Sequence, residues 1–318
     1  MKTRRLVLST LTFAVAVVAP LAQPARSAAA ITPRFEALPL ERSPQNHLLV
    51  RAKINGKPAL LTVDTGAPVS AVALQRREHF GLKPIAAGSE IPTRLNVNGA
   101  FNSVVVARTV TLGSLNLVDE PLVAIDLRSR PGSTRRLDEP AIDGIIGADI
   151  LFPTKAVLDC DRQLLVLKMD PSAPGSAPGF DFHGFRRVPM HVSAGYNLYV
   201  DSSVNGRAAK LMVDTGAFAT LLHSQFVRNM KIPLRGTPFT SSGVNLRDRK
   251  VQVATVRRLS IGSFAIEGKE VGVIDLGGLI HAGLLDAKPP VAGLLGSEIL
   301  RRHHGIIDFG TSSLYLRR

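Results

Sequence analysis

The residues best suited to chemistry are two aspartates, Asp64 and Asp214, each in an Asp-Thr-Gly-Ala segment that directly follows an apolar run. Burying an unpaired charge is unfavourable, so an aspartate at the end of such a run needs an explanation. One interpretation is a tight turn in which the carboxylate accepts backbone N–H bonds, and for a single short motif it would suffice. The second occurrence of the motif favours another interpretation, in which the two carboxylates form a pair.

A pair of this kind would carry out acid–base chemistry. Carboxyl groups held about 3 Å apart cannot both ionise readily, so they share one proton and titrate in two steps. The ionised group can deprotonate a water molecule while the protonated group polarises a substrate carbonyl, which is sufficient for amide hydrolysis without a metal or covalent nucleophile. Gly66 and Gly216 lack the Cβ that would keep the backbone away from the carboxylates. The short hydroxyls of Thr65 and Thr215 are expected to fix the geometry.

The two motifs belong to a duplicated unit. Asp64 and Asp214 are 150 residues apart, and the Asn-Gly pairs that precede them recur at the same offset. Downstream, Gly-Ile-Ile-Gly at 144–147 corresponds to Gly-Leu-Leu-Gly at 293–296, with an offset of 149. Landmarks in the same order with a one-residue slip indicate duplication. Pairing of the halves about a pseudo-twofold axis would bring the two aspartates together.

The elements that position these motifs are predicted to be strands. Apolar and polar residues alternate over 48–54, and the Asn-Gly pairs are typical of two-residue hairpin turns. A segment rich in Pro, Gly and Ser at 170–180 is predicted to be a linker. It separates an N-terminal lobe, residues 31–169, from a C-terminal lobe, residues 181–318, and each lobe is expected to be mainly β.

The composition indicates an ordinary globular protein. Of its 318 residues, 45% are hydrophobic and 20% are charged, which excludes disorder as the dominant state, and the single cysteine excludes a disulfide scaffold. The formal net charge is +14. The basic residues are scattered, with neither an interleaved aromatic array nor a recognition-helix pattern. A solvated basic surface is therefore expected, and a nucleic-acid partner is not.

The first thirty residues are typical of an export signal. A charged start is followed by an apolar stretch over 6–19 and then by small residues. The stretch is short of the roughly 20 residues that span a bilayer, and no other segment is long and apolar enough to cross one. We expect residues 1–30 to be a cleaved signal peptide and the mature protein to be periplasmic or secreted. The Arg-Arg pair at 4–5 makes the twin-arginine route a possible refinement.

The paired Asp-Thr-Gly-Ala motifs, each with its apolar-apolar-Gly segment, resemble those of the aspartic proteases. The Gly-Ile-Ile-Gly-x-x-Ile-Leu form is most similar to the retropepsin-like branch, and the resemblance covers about 46–169 and 196–318. It implies two similar retropepsin- or pepsin-like β-barrel lobes related by a pseudo-twofold, with an active-site cleft between them. It also implies that Asp64 and Asp214 are the catalytic pair, that the substrate is a peptide and that no cofactor or metal is used. With both copies in one chain, a monomer is expected.

Two departures from the family pattern bear on the fold. Retroviral members carry Arg where this chain has Ala148 and Ser297, so the lobe interface must be secured differently. Pepsin-like members carry a tyrosine in a flap, whereas none of the three tyrosines of this chain lies in a plausible flap. Turn chemistry indicates flap tips at 98–99 and 242–243.

The sequence is compatible with two functions and lacks the motifs of other common enzyme classes. The sequence has no nucleophile elbow, phosphate loop, dinucleotide fingerprint or zinc-protease motif. Asp149 and Glu298, which follow the apolar-apolar-Gly segments, are expected to cap short helices. The first function is an exported aspartic endopeptidase; the alternative is an inactive relative that binds extended peptides or envelope polymer. Retention of both aspartates favours the endopeptidase, whereas its sequence preference and pH optimum are not predictable.

Overall fold

The computed structural model describes residues 35–85, 104–127, 140–170, 177, 179–241, 246 and 249–318. The predicted signal segment, most of the predicted linker and the candidate flap tips lie outside these residues. The described residues from 35 onward belong to one compact unit. Its two similar parts, the first lobe up to residue 170 and the second lobe from residue 179, both consist mainly of strands.

The first lobe follows the alternation seen in the sequence. In the strand at 48–54, Arg51 and Lys53 are exposed while the apolar positions are buried, and Asn55 and Gly56 take the positive φ angles, 50° and 78°, of the hairpin turn. The helical elements are a 3₁₀ turn at Leu74–Arg76 and α1 at Ala148–Leu151. The strands are β1 (Phe35–Pro39), β2 (Glu41–Arg42), β3 (Leu48–Ile54), β4 (Lys57–Val63), β5 (Ala71–Ala73), β6 (Lys83–Pro84), β7 (Val104–Leu112), β8 (Leu115–Ile125), β9 (Gly144–Ile146), β10 (Val157–Asp159) and β11 (Leu164–Lys168).

The second lobe repeats this arrangement. Its helices are α2 (Ser224–Asn229), α3 (Gly277–His281) and α4 (Ser297–Arg302). Its strands are β12 (Arg186–Val192), β13 (Leu198–Val204), β14 (Arg207–Val213), β15 (Leu221–His223), β16 (Arg235–Thr240), β17 (Lys250–Ile261), β18 (Phe264–Ile274), β19 (Val291–Leu295), β20 (Ile306–Asp308) and β21 (Ser313–Leu316).

The two lobes have the same strand order. In the first, β3, β4, β9, β5, β8 and β7 are hydrogen-bonded in sequence, and β7 pairs with β3 to close a six-stranded barrel. In the second, β13, β14, β19, β15, β18 and β17 follow one another, and β17 pairs with β13. Closure satisfies the edges of each sheet. The prediction of two similar β-barrel lobes is confirmed.

A further sheet joins the lobes, with the order β1-β11-β10-β20-β21-β12. Its central pairing, β10 with β20, is antiparallel and aligns Leu158 with Ile307 across the pseudo-twofold. The long strand β12 pairs with β21 at its start and with β13 at its end, whereas β1 and β2 share these tasks in the first lobe. The lobes are therefore tied together by main-chain hydrogen bonds.

The helical elements that follow β5 and β15 are short. Residues Leu74–Arg76 form a single 3₁₀ turn, and α2 begins only at Ser224 because Leu221–His223 pairs with β18. In the described ranges, every helix is too short or too polar to cross a lipid bilayer.

Candidate active site

Both Asp-Thr-Gly loops begin at the carboxyl end of a buried strand. β4 runs parallel to β9 and β14 runs parallel to β19, so each loop starts beside an apolar-apolar-Gly segment. The Asp64 N–H donates to the Ile146 carbonyl at 3.0 Å, and the Asp214 N–H donates to the Leu295 carbonyl at the same distance. The neighbouring strand thus fixes the backbone at each aspartate.

The glycine that ends each apolar-apolar-Gly segment is required by close packing. A Cβ on Gly147 would lie 2.7 Å from the Val69 carbonyl carbon, and one on Gly296 would overlap the Ala219 backbone. In both lobes the chain that leaves the Asp-Thr-Gly loop crosses directly over this glycine. The segment therefore supports the loop from behind and leaves no room for a side chain at that position.

The two loops meet between the lobes, and each aspartate lies against the glycine of the opposite loop. A Cβ on Gly66 would be 2.5 Å from Asp214 Oδ1, and a Cβ on Gly216 would be 2.5 Å from Asp64 Oδ2. The two carboxyl groups interact, since the negative charge on Asp64 raises the pKa of Asp214. The absence of a Cβ at both glycines therefore allows the carboxyl groups to approach each other.

Each carboxylate also accepts N–H bonds from its own loop. Asp64 Oδ1 accepts the Gly66 N–H at 2.8 Å, and Asp214 Oδ1 accepts those of Gly216 at 2.9 Å and Ala217 at 3.0 Å. The two interpretations of the motif are thus compatible. The tight turn holds one oxygen of each carboxyl group and thereby orients the pair.

Thr65 and Thr215 form a reciprocal network across the lobes. The Thr65 hydroxyl donates to the Val213 carbonyl and accepts the Thr215 N–H, at 2.8 and 3.1 Å. The Thr215 hydroxyl donates to the Val63 carbonyl and accepts the Thr65 N–H, at 2.8 and 3.0 Å. Both threonines are buried. Water cannot replace these bonds without rearrangement, so the network sets the separation of the two loops.

Replacing Thr65 with Val tests this network. The variant keeps the side-chain shape but leaves the Val213 carbonyl and the Thr215 N–H without partners, and each buried unsatisfied group costs about 1–3 kcal/mol. We expect the free energy of unfolding in urea to fall by about 2–4 kcal/mol. Thr65→Ser, which retains the hydroxyl, should remain within about 1 kcal/mol of the parent. Equal losses in both variants would contradict the assignment.

Burial raises the pKa of both carboxyl groups. Asp214 is only 9% exposed, and the negative charge on Asp64 raises the pKa of Asp214 further. The pKa of Asp64 is raised by burial but lowered by the Gly66 N–H, by the charge of His47 and by its hydrogen bond to Asp214. These opposing effects favour a shared proton that resides mainly on Asp214, with the negative charge on Asp64.

The prediction that Asp149 and Glu298 cap short helices is wrong. Asp149 accepts the backbone N–H and the hydroxyl of Ser70, at 2.8 and 2.7 Å, and Glu298 accepts the N–H of Thr220 at 2.8 Å. Neither helix has a side-chain cap bond. Each carboxylate therefore anchors the chain that leaves the adjacent Asp-Thr-Gly loop. The signal that sequence reasoning missed is a hydroxyl residue six positions after each aspartate.

His47 also belongs to the site, although its sequence context did not indicate it. It lies in the turn before β3, and its Nε2 is 3.2 Å from the carbonyl of Gly216 in the opposite loop. No local motif marks this residue, because its partner is 169 residues away.

The lobe interface is secured without the arginines of retroviral proteases. Ala148 is buried, and the Ser297 hydroxyl donates to the Thr215 carbonyl within the second lobe at 2.8 Å. Between the lobes, the rings of Phe152 and Phe309 meet edge to face at 5.0 Å. These contacts add to the β10–β20 pairing. The described ranges contain no cluster of three or more His, Cys, Asp or Glu residues that could hold a metal ion.

Comparison with known proteins gives one match to a family model, in both repeats. The family model described as aspartyl protease matches residues 50–150 and again 200–299. The comparison with curated sequences returns no match. Among solved structures, basic 7S globulin from soybean is similar with a TM-score of 0.47 and 11% identity over 90% of this chain and 95% of its own. The aspartic proteinase from Irpex lacteus is similar with a TM-score of 0.45 and 16% identity over 89% and 97%. The two matched segments together cover more than half of the chain. The chain therefore belongs to the aspartyl protease family.

Proposed function

We propose that this protein is an aspartic endopeptidase that is exported from the cytoplasm and hydrolyses peptide bonds with water activated between Asp64 and Asp214. The observation that carries the proposal is the meeting of the two Asp-Thr-Gly loops, one from each repeat, which places each carboxyl group against the glycine of the opposite loop and where burial raises the pKa of both. A structural role alone would not need two mutually destabilising acids at one point.

In this proposal the two carboxyl groups have complementary roles. Asp64, as the ionised group, removes a proton from the attacking water, and Asp214, as the protonated group, donates a hydrogen bond to the substrate carbonyl. The water oxygen adds to the carbonyl carbon and gives a tetrahedral intermediate. The C–N bond then breaks as the nitrogen receives the proton that Asp64 took from water, which returns the pair to its singly protonated state.

The surroundings favour a peptide substrate in extended form. An extended segment can be held through its main chain, while its alternate side chains occupy pockets on both sides. Phe218 and Pro68 follow Ala217 and Ala67 directly beyond the two loops, and Phe218 is 55% exposed. Apolar substrate side chains are accordingly expected next to the scissile bond.

The proposal also includes the oligomeric state of the protein and the compartment in which it acts. Since both halves of the site lie in one chain, a monomer is sufficient for activity. Residues 1–30 have the pattern of a cleaved export signal, and we propose that the mature protein acts in the periplasm or outside the cell.

The test is hydrolysis of an unfolded protein, such as reduced and alkylated casein, by the mature protein at pH 3–7. We expect internal cleavage, detected by mass spectrometry of the products, and inhibition by a statine-containing peptide, which mimics the tetrahedral intermediate. Binding of the statine peptide without any cleavage would contradict the endopeptidase proposal and support the peptide-binding alternative.

A further inference from the structure

A rigid turn places His47 at the pair of carboxyl groups. The Ser43 N–H donates to the His47 carbonyl at 3.0 Å, and the Ser43 hydroxyl accepts the His47 N–H at 3.1 Å. Asn46 takes a left-handed conformation, with φ of 68°, and completes the turn. The half-buried imidazole is thereby held with Nε2 3.2 Å from the Gly216 carbonyl.

This contact exists on one side of the pseudo-twofold only. The second lobe has the same turn, in which the Asn197 N–H donates to the Ser193 hydroxyl at 3.3 Å and Tyr196 has a φ of 63°. At the position equivalent to His47, however, the Asn197 side chain donates to the Leu284 carbonyl of its own lobe at 3.0 Å. An imidazole therefore faces one of two otherwise equivalent loops.

The charge of His47 acts unequally on the two aspartates. Its contact residue, Gly216, lies against the carboxylate of Asp64, and the charge of His47 lowers the pKa of Asp64. For Asp214 the strongest charge is the negative one on Asp64, which raises the pKa of Asp214. The other charges of this region point elsewhere: Arg42 donates to Asn46 and to the Cys160 carbonyl. On β3, Arg51 pairs with Glu41, and Lys53 is exposed.

We propose that His47 is a positioning residue that makes the two aspartates inequivalent, so that Asp64 carries the negative charge and acts as the base while Asp214 keeps the proton. The inference deepens the proposed endopeptidase function and rests on it. Without His47 the pair would lose the charge that lowers the pKa of Asp64, and Asp64 would ionise only at a higher pH.

The first test is the pH dependence of kcat/KM for the parent and for His47→Asn, which introduces the residue present in the second lobe. In the folded protein the charge of His47 lowers the pKa of Asp64. Its removal should move the acidic limb of the profile upward by about 0.5–1 pH unit. Below that limb, kcat/KM should fall by about 3- to 10-fold, with KM changed less than about twofold.

Two companion variants separate the charge from the hydrogen bond. His47→Gln retains a donor for the Gly216 carbonyl but has no charge, so its acidic limb should move as in His47→Asn. His47→Lys retains a cation, and its limb should return toward the parent value. The matched control is His183→Asn in the exposed segment before β12, whose profile should equal that of the parent. An unshifted limb in His47→Gln would overturn the proposal, because the hydrogen bond alone would then explain the contact.

A readout independent of turnover separates this inference from the proposed function. Carbon-13 NMR of labelled aspartate carboxyl groups can follow the pair in the parent and in the same variants, assigned with Asp64→Asn and Asp214→Asn. We expect the first ionisation to move upward in His47→Asn and His47→Gln but not in His47→Lys. If the parent cleaves nothing, the endopeptidase proposal fails while this shift still tests His47; an unchanged first ionisation would overturn the role of His47 even in an active enzyme.

Discussion

Asp64→Asn and Asp214→Asn are each expected to lower kcat/KM by about 10³- to 10⁴-fold or more while the protein remains folded. An amide in place of Asp64 cannot remove a proton from water, and one in place of Asp214 has no acidic proton with which to polarise the substrate carbonyl. The Asn oxygen can still accept the loop N–H bonds that the carboxylate accepts in the parent. Steady-state cleavage and circular dichroism on the same samples measure both properties.

The matched control is Asp201→Asn, which makes the same chemical change at an exposed residue whose partner is His191. Its activity should be within about twofold of the parent. Because the two aspartates act as a unit, the double variant should be no worse than the poorer single variant. Cleavage at the parent rate by either single variant would exclude the pair as the catalytic groups.

The same substitutions should change the pH dependence of stability. A carboxyl group whose pKa is raised in the folded state binds more protons there than in the unfolded chain. The free energy of unfolding therefore falls as pH rises from the ordinary aspartate value, 3.8, through the raised value. Asp214→Asn removes this loss. Urea unfolding at pH 3 to 7 should show a variant that gains stability relative to the parent as pH rises, whereas a constant difference would contradict the raised pKa.

The second large effect is expected from Gly66→Ala and Gly216→Ala. The new Cβ would lie 2.5 Å from a carboxylate oxygen of the opposite lobe, closer than any real contact of this type. The carboxyl group must move, and a displacement of about 1 Å is enough to lower activity about 10²-fold. We expect kcat to fall by that factor or more, measured at saturating substrate.

Gly236→Ala provides the control for the glycine variants. Gly236 lies on β16 with no atom within 4 Å of a new Cβ and without a left-handed φ, so kcat should be unaffected. Parent-like kcat in Gly66→Ala would mean that the opposite carboxylate is not held at the position that the pairing requires.

The lobes and their order could be predicted because the duplicated segments carry strong local signals. Alternation over 48–54 and the Asn-Gly turn are properties of neighbouring residues, and they form β3 and its hairpin as expected. The same applies to Asp64 and Asp214, since a charged residue at the end of a buried strand is conspicuous in the sequence. The structure brings these two residues together through the pairing of the lobes.

The other parts of the site depend on tertiary contacts that leave no local pattern. Asp149 lies in the first turn of α1, which favours capping, yet Ser70 offers two hydrogen bonds from 79 residues away. His47 acquires its partner only when the second lobe docks. Tertiary contacts also limit the length of the helices. Leu221–His223 pairs with β18 and therefore does not extend α2.

The central claim is that the two repeats place Asp64 and Asp214 in one buried pair that shares a proton. The most direct measurement is a carbon-13 NMR titration of the two carboxyl groups in the parent protein. If the pair shares a proton, both signals should respond in the same two steps, the second well above the ordinary aspartate pKa. Asp64→Asn should leave Asp214 with a single step. Two independent titrations, each near pH 3.8 and each unchanged when the other aspartate is replaced, would contradict it.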